Sequence, residues 1–125
     1  MSFSVDFETT ERLVRIDAAQ TPTVSQIEEL LVTVPLDPRF EEGYQILCDC
    51  RKMERQFDSR ELSATVAALS RWHEAFGHRR CAIVVSQITT YMLARVVASL
   101  VSHTCFAMSV FYREDEARAW LRSTV

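Results

Sequence analysis

A chain of 125 residues is the size of a single domain, and with 48% hydrophobic and 25% charged residues it can bury a core; this excludes a disordered segment. The formal charge of −3, with thirteen arginines interleaved among acids as in Arg51-Lys52-Met53-Glu54-Arg55, excludes the one-signed basic face that nucleic-acid binding needs. The opening residues lack a basic-then-apolar leader, and no apolar run reaches the ~18 residues of a membrane span, so a soluble cytoplasmic protein with no membrane span is expected.

Phe3-Ser4-Val5-Asp6-Phe7-Glu8 alternates with period two, the pattern of a strand with one buried face. After the polar turn Thr9 to Arg12 the alternation returns in Leu13 to Ala18, and so short a connection predicts an antiparallel hairpin. Thr23 then reads as a helix cap with Gln26 three residues on. The apolar stripe Ile27, Leu30, Leu31 and Val34 follows, with Pro35 and Pro38 ending the helix. Tyr44 to Cys50 is a mostly apolar strand. A second helix, capped by Asp58 or Ser59, carries Leu62, Val66, Leu69, Trp72 and Phe76 and stops at Gly77. The continuous apolar run Cys81 to Val85 predicts a strand covered on both faces. A third helix from about Ile88 to Ser102, a strand over Phe106 to Tyr112, and a closing helix over Asp115 to Leu121 complete the chain. The acids in the first turn of that last helix suit its dipole.

Strands thus alternate with helices after the opening hairpin. The expectation is an α/β domain spanning residues 1–125 in the order β-β-α-β-α-β-α-β-α, with a five-stranded mixed sheet and four helices.

Two glycines, Gly43 and Gly77, are too few for a dinucleotide fingerprint or a phosphate loop. The cysteines Cys48, Cys50, Cys81 and Cys105 form no CxxC, and Cys48 and Cys50 share one strand face, so buried reduced thiols are expected rather than a disulfide or a zinc site. His73, His78 and His103 fall late in helices or just after them, and nothing in the sequence brings them together. No metal, cofactor or catalytic set is therefore expected, and the protein reads as a non-enzyme.

The element order resembles the SpoIIAA-like (STAS) fold. The ending Val110-Phe111-Tyr112-Arg113-Glu114-Asp115-Glu116-Ala117-Arg118-Ala119-Trp120-Leu121 is similar to the closing strand and "EAxxWL" helix of bacterial SpoIIAA-like proteins. Val84-Val85-Ser86, followed by a helix with Tyr91, Ala94 and Arg95, resembles the same group. The likeness implies a regulatory or protein-interaction module. It also draws attention to Ser59, because anti-sigma-factor antagonists of this fold carry a phosphorylatable serine in a pattern like Asp-Ser-Ser-Gly. Here Asp58-Ser59-Arg60-Glu61 keeps the first two positions only, and Glu61 sets a negative charge where a phosphate would arrive. Ser59 is thus either a helix cap or a phosphoacceptor.

Open α/β sheets bind ligands outside the carboxyl ends of their parallel strands. Those ends should present Asp49 and Arg51, Ser86 and Gln87, and Tyr112 with Arg113. They are either a ligand or partner crevice, or a place where Asp49 simply pairs with an arginine. CRAL-TRIO/Sec14-type lipid carriers, related in fold, build their pocket from extra helices that this chain is too short to hold.

The third helix is apolar over more than one face. Leu93, Val96, Val97 and Leu100 form the stripe expected against the sheet. Ile88, Tyr91, Met92 and Arg95 form a second face, expected as the seam of a homodimer or as further core. The resulting expectation is a non-enzymatic interaction module, homodimeric and open to a protein partner. The alternative is a small-molecule or lipid-binding domain using the crevice at the strand ends.

Overall fold

The structure, a computed structural model, describes residues 3–53, 57–101 and 107–123. Its elements follow the expected order: β1 (Phe3–Glu8), β2 (Leu13–Ala18), α1 (Val24–Leu36), β3 (Gln45–Asp49), α2 (Ser59–Phe76), β4 (Arg80–Val84), α3 (Ile88–Leu100), β5 (Ala107–Phe111) and α4 (Glu114–Arg122). Strands lie side by side in chain order, β1 antiparallel to β2 and every later pair parallel. The turn between β1 and β2 is closed by Arg12 in a left-handed conformation, at φ 53°.

This simple strand order decides where the helices go. Successive right-handed crossovers that step in one direction set all their helices on one face of the sheet. Accordingly α1, α2 and α3 share a core with Val14, Ile16, Ile46 and Cys81, to which they contribute Leu31, Val34, Ala68, Leu69, Phe76 and Val97. Among the described residues the opposite face has α4 alone. There Ala117 and Leu121, with half-buried Trp120, meet Leu13, Leu47, Ala82 and Val84. Alternation along each strand feeds both cores, so Leu47 and its neighbours Ile46 and Cys48 point to opposite sides.

Local signals fix the helix ends. Thr23 accepts from the Gln26 amide while the Gln26 side chain accepts from the Thr23 amide, a closed capping box. Asp58 and Glu61 repeat it at α2. Asp58 is therefore the cap and Ser59 the first helical residue, exposed to solvent, which corrects the reading of Ser59 as a cap. Glu61 serves the same box. At the far end of α2, Gly77 adopts φ 61°, where a side chain would be strained.

Two further expectations are corrected. Pro35 lies inside α1 rather than ending it, because a proline in the final turn removes a single intrahelical bond and the helix closes at Leu36. On α3, Thr90 and Val97 are buried while Val96 and Leu100 are 44% and 50% exposed, so the sheet-facing stripe is rotated from the one expected. His103, Cys105 and Phe106 lie outside the described residues.

Candidate functional site

At the carboxyl ends of the strands the structure brings Asp49, Arg51 and Ser86 together, but as a set already joined to itself. Asp49 ends β3 on the α4 side of the sheet. Its carboxylate accepts from the Arg51 side chain at 2.9 and 2.7 Å and from the Arg51 amide at 3.1 Å. Arg15, across on β2, donates to the same carboxylate at 2.8 Å, to Glu114 at 2.6 Å and to Asp17 at 3.1 Å. Glu114 opens α4, whose N-terminal end faces these strand ends. It also takes Arg51 at 3.2 Å and Arg118 at 2.9 Å. Arg118 in turn grips Glu8 of β1 through two 3.0 Å bonds. Ser86 donates its hydroxyl to the Arg51 carbonyl at 2.8 Å.

The charges are tuned by this pairing. The Arg51 hydrogen bonds, with Arg15 close by, hold the Asp49 carboxyl below its ordinary value. Burial pushes Glu114 upward, but bonds from Arg118 and Arg15 outweigh it and leave it lowered. The Arg118 clamp lowers Glu8 in the same way. Such a network ties β1, β2, β3 and α4 into one unit. A cleft of about 170 Å³ lies beside it, lined in part by Ser4, Asp17, Asp49 and Lys52.

The remaining expected crevice residues go elsewhere. Gln87 is the residue before α3 and makes no capping bond with its side chain. Tyr112 stacks on Tyr91 of α3, ring centroids 4.8 Å apart and planes 6° from parallel. The Tyr91 hydroxyl accepts from Arg95 at 3.1 Å. Ile88 and Met92, each 62% exposed, continue into Val96 and Leu100, so residues four apart make one apolar strip along α3.

A second concavity is on the other face of the sheet. A cavity of about 190 Å³, partly open to solvent, separates the strands from α1, α2 and α3. Ile16, Ile46, Cys48, Cys81 and Ile83 form its floor. Ile27, Leu30, Leu69, Leu93, Ala94 and Val97 form its roof, and Ala18, Cys50, Met53 and Phe57 sit toward the strand ends. Its polar side chains are few. Thr65 donates to the Glu61 carbonyl at 2.8 Å, and Cys48 lies 3.9 Å from Cys81, sulfur to sulfur. Contact with Cys81 and burial both raise the Cys48 thiol, and burial raises Cys50, so these sulfurs stay protonated.

The carboxyl-end polar residues were visible in the sequence, and Arg15, Glu8 and the cavity were not. Arg15 carries a signal, a long cation set between apolar positions of a strand. The cavity has a fainter one in the small side chains Ala18, Cys48, Cys81 and Ala94 on faces where larger residues would fill the space.

No helix among the described residues is long and apolar enough to cross a membrane. No curated protein matches the chain. Among solved structures, an uncharacterised protein from Shewanella loihica with a SpoIIAA-like fold is similar, with a TM-score of 0.59 and 16% identity over 95% of this chain and 91% of that one. At that identity the likeness concerns the fold. Residues 13–122 match the family model described as SpoIIAA-like, and with the five-stranded sheet, the three helices on one face and the closing α4 on the other, this chain belongs to the SpoIIAA-like family.

Proposed function

We propose that this domain is a non-catalytic binding module that holds an apolar small molecule between the sheet and helices α1–α3. The cavity of about 190 Å³ carries the reading, since the described side chains that line it are uncharged and almost all apolar. Concave apolar sites with a few convergent polar groups are the usual form of a ligand pocket. Chemistry is disfavoured: the Cys48 and Cys50 thiols of the lining are held protonated, and at the strand ends the Ser86 hydroxyl is committed to a carbonyl. Native mass spectrometry of the purified protein should show a bound mass that is lost on denaturation, and refilling the stripped protein should raise its melting temperature. A bare chain mass, together with no shift from any apolar compound tried, refutes the reading. Three free thiols facing the α1–α3 side fit a reduced compartment such as the cytoplasm.

The exposed strip Ile88, Met92, Val96 and Leu100 supports a second reading, in which α3 docks on its own copy to form a regulatory homodimer open to a protein partner. Tyr91 and Arg95 flank the strip and are residue types enriched in interface cores. Met92→Glu should give a folded monomer by light scattering with unchanged circular dichroism. A wild type already monomeric at tens of micromolar (~10⁻⁵ M, near the ordinary affinity of a modest interface) removes the dimer.

A further inference from the structure

We infer that the cavity between the sheet and α1–α3 admits compact, electrically neutral molecules of about ten non-hydrogen atoms and rejects carboxylates, fatty acids included. The inference rests on the apolar-ligand reading above and narrows it. Size comes first. An engineered apolar void of about 150 Å³ takes up benzene, and this cavity, at about 190 Å³, has room for somewhat more than one ring.

Charge comes second. Among the described residues, the side chains around the space include no arginine, lysine or histidine. Arg15 and Arg80, next in sequence to the floor residues Ile16 and Cys81, and Arg51 beyond them project to the α4 side, where Arg15 and Arg51 are bound to Asp49 and Glu114 and Arg80 donates to the Trp120 carbonyl and to Ser123. An ionised ligand would therefore lose its hydration without gaining a counter-ion, a cost that hydrogen bonds alone rarely offset. The described hydroxyls of the lining are those of Thr65 and Thr90. The Thr65 hydroxyl gives its hydrogen to the Glu61 carbonyl, which leaves an oxygen suited to accept from a ligand hydroxyl rather than to bind an anion. The upward shift of the Cys50 thiol reports the same environment, one in which burial opposes negative charge.

A matched pair of probes tests the inference. Isothermal titration of the intact protein at pH 7 with 1-naphthalenemethanol and with 1-naphthoate compares two molecules of one shape, neutral and anionic. The expected result is one-to-one saturable binding of the alcohol, with naphthoate at least about a hundredfold weaker. Ala94→Phe, which puts a ring into the roof, should abolish alcohol binding while the protein still melts cooperatively. Leu93→Phe serves the same purpose should that variant fail to fold. Equal affinity for both probes, lost in the filled variants, overturns neutrality and leaves the cavity reading standing. Alcohol binding that survives both substitutions overturns the inference by placing the ligand elsewhere. Binding of neither probe removes the cavity reading, and the inference with it.

Discussion

Arg15 is the side chain whose loss should be felt most in the charged network. It is 18% exposed and reaches Asp49, Glu114 and Asp17, carboxylates from three different elements. Arg15→Met keeps most of the apolar stem and deletes only the charge, so packing changes little. Removing one partner of a buried ion pair costs roughly 3–5 kcal/mol. Here the loss is smaller, because Asp49 retains Arg51 and Glu114 retains Arg118. A cost of about 2–3 kcal/mol at pH 7 is therefore expected, read from urea unfolding by circular dichroism. The pH dependence identifies the cause. Asp49 and Glu114 have folded values below their ordinary ones, so their contribution is present above the unfolded value near ~4 and is lost as pH falls through the folded value. The gap between wild type and Arg15→Met should thus be constant from pH 7 to 5 and narrow below about pH 4. A loss under about 0.5 kcal/mol at pH 7 would mean that the network contributes no more than exposed pairs do. An undiminished gap at pH 3 would assign the effect to packing.

Other substitutions probe local statements. Asp58→Ala removes one half of the α2 capping box and should lower stability by about 1 kcal/mol in the same assay, with Ser59→Ala close to neutral. Gly77→Ala meets no neighbouring atom within 4 Å, so any loss comes from the backbone at φ 61°, and about 1–3 kcal/mol is expected from thermal melts. Trp120 is only half-buried, tilted against Phe111 at 5.8 Å and covered by Arg80, so Trp120→Ala should cost about 2–3 kcal/mol, less than for a fully buried aromatic.

The element order was legible because each level of the sequence agrees with the next. Period two in Leu13 to Ala18, the Thr23/Gln26 and Asp58/Glu61 boxes, and the triplet Ala117, Trp120, Leu121 all point to the same architecture. What failed was orientation. Periodicity identifies an apolar arc, but α3 has apolar residues on several sides, and nothing in the sequence says which arc the sheet will take. The sheet took the narrower one, Thr90, Leu93, Ala94 and Val97, and left Ile88, Met92, Val96 and Leu100 outside. The carboxyl-end residues were placed correctly by topology. Their partners were not, since Arg15 reaches Asp49 across strands and Glu114, itself held by Arg118, reaches Arg51 from the closing helix. A void is harder still to foresee, because it is defined by side chains that are absent.

That void and the charged network belong to a single division of the sheet. On the α4 face, long charged side chains are matched one against another, and Ala117, Trp120 and Leu121 pack on the strands. On the other face, three helices rest on the sheet with small residues beneath them, and the space is not filled. A sealed void of this size would lower stability by roughly 4–5 kcal/mol relative to a collapsed core, a large part of the 5–15 kcal/mol that holds a typical domain together. Partial opening to solvent reduces the figure, yet replacing Ala94 or Cys81 by a larger apolar residue would still recover some of it. On the reading proposed above, a pocket that one substitution could fill is space for a ligand. The prediction that follows is a trade-off. Ala94→Phe should melt higher than the stripped wild type and no higher than the wild type filled with its neutral ligand. A filled variant that melts lower than the stripped protein would show that the roof has no room to give, and would overturn the trade-off.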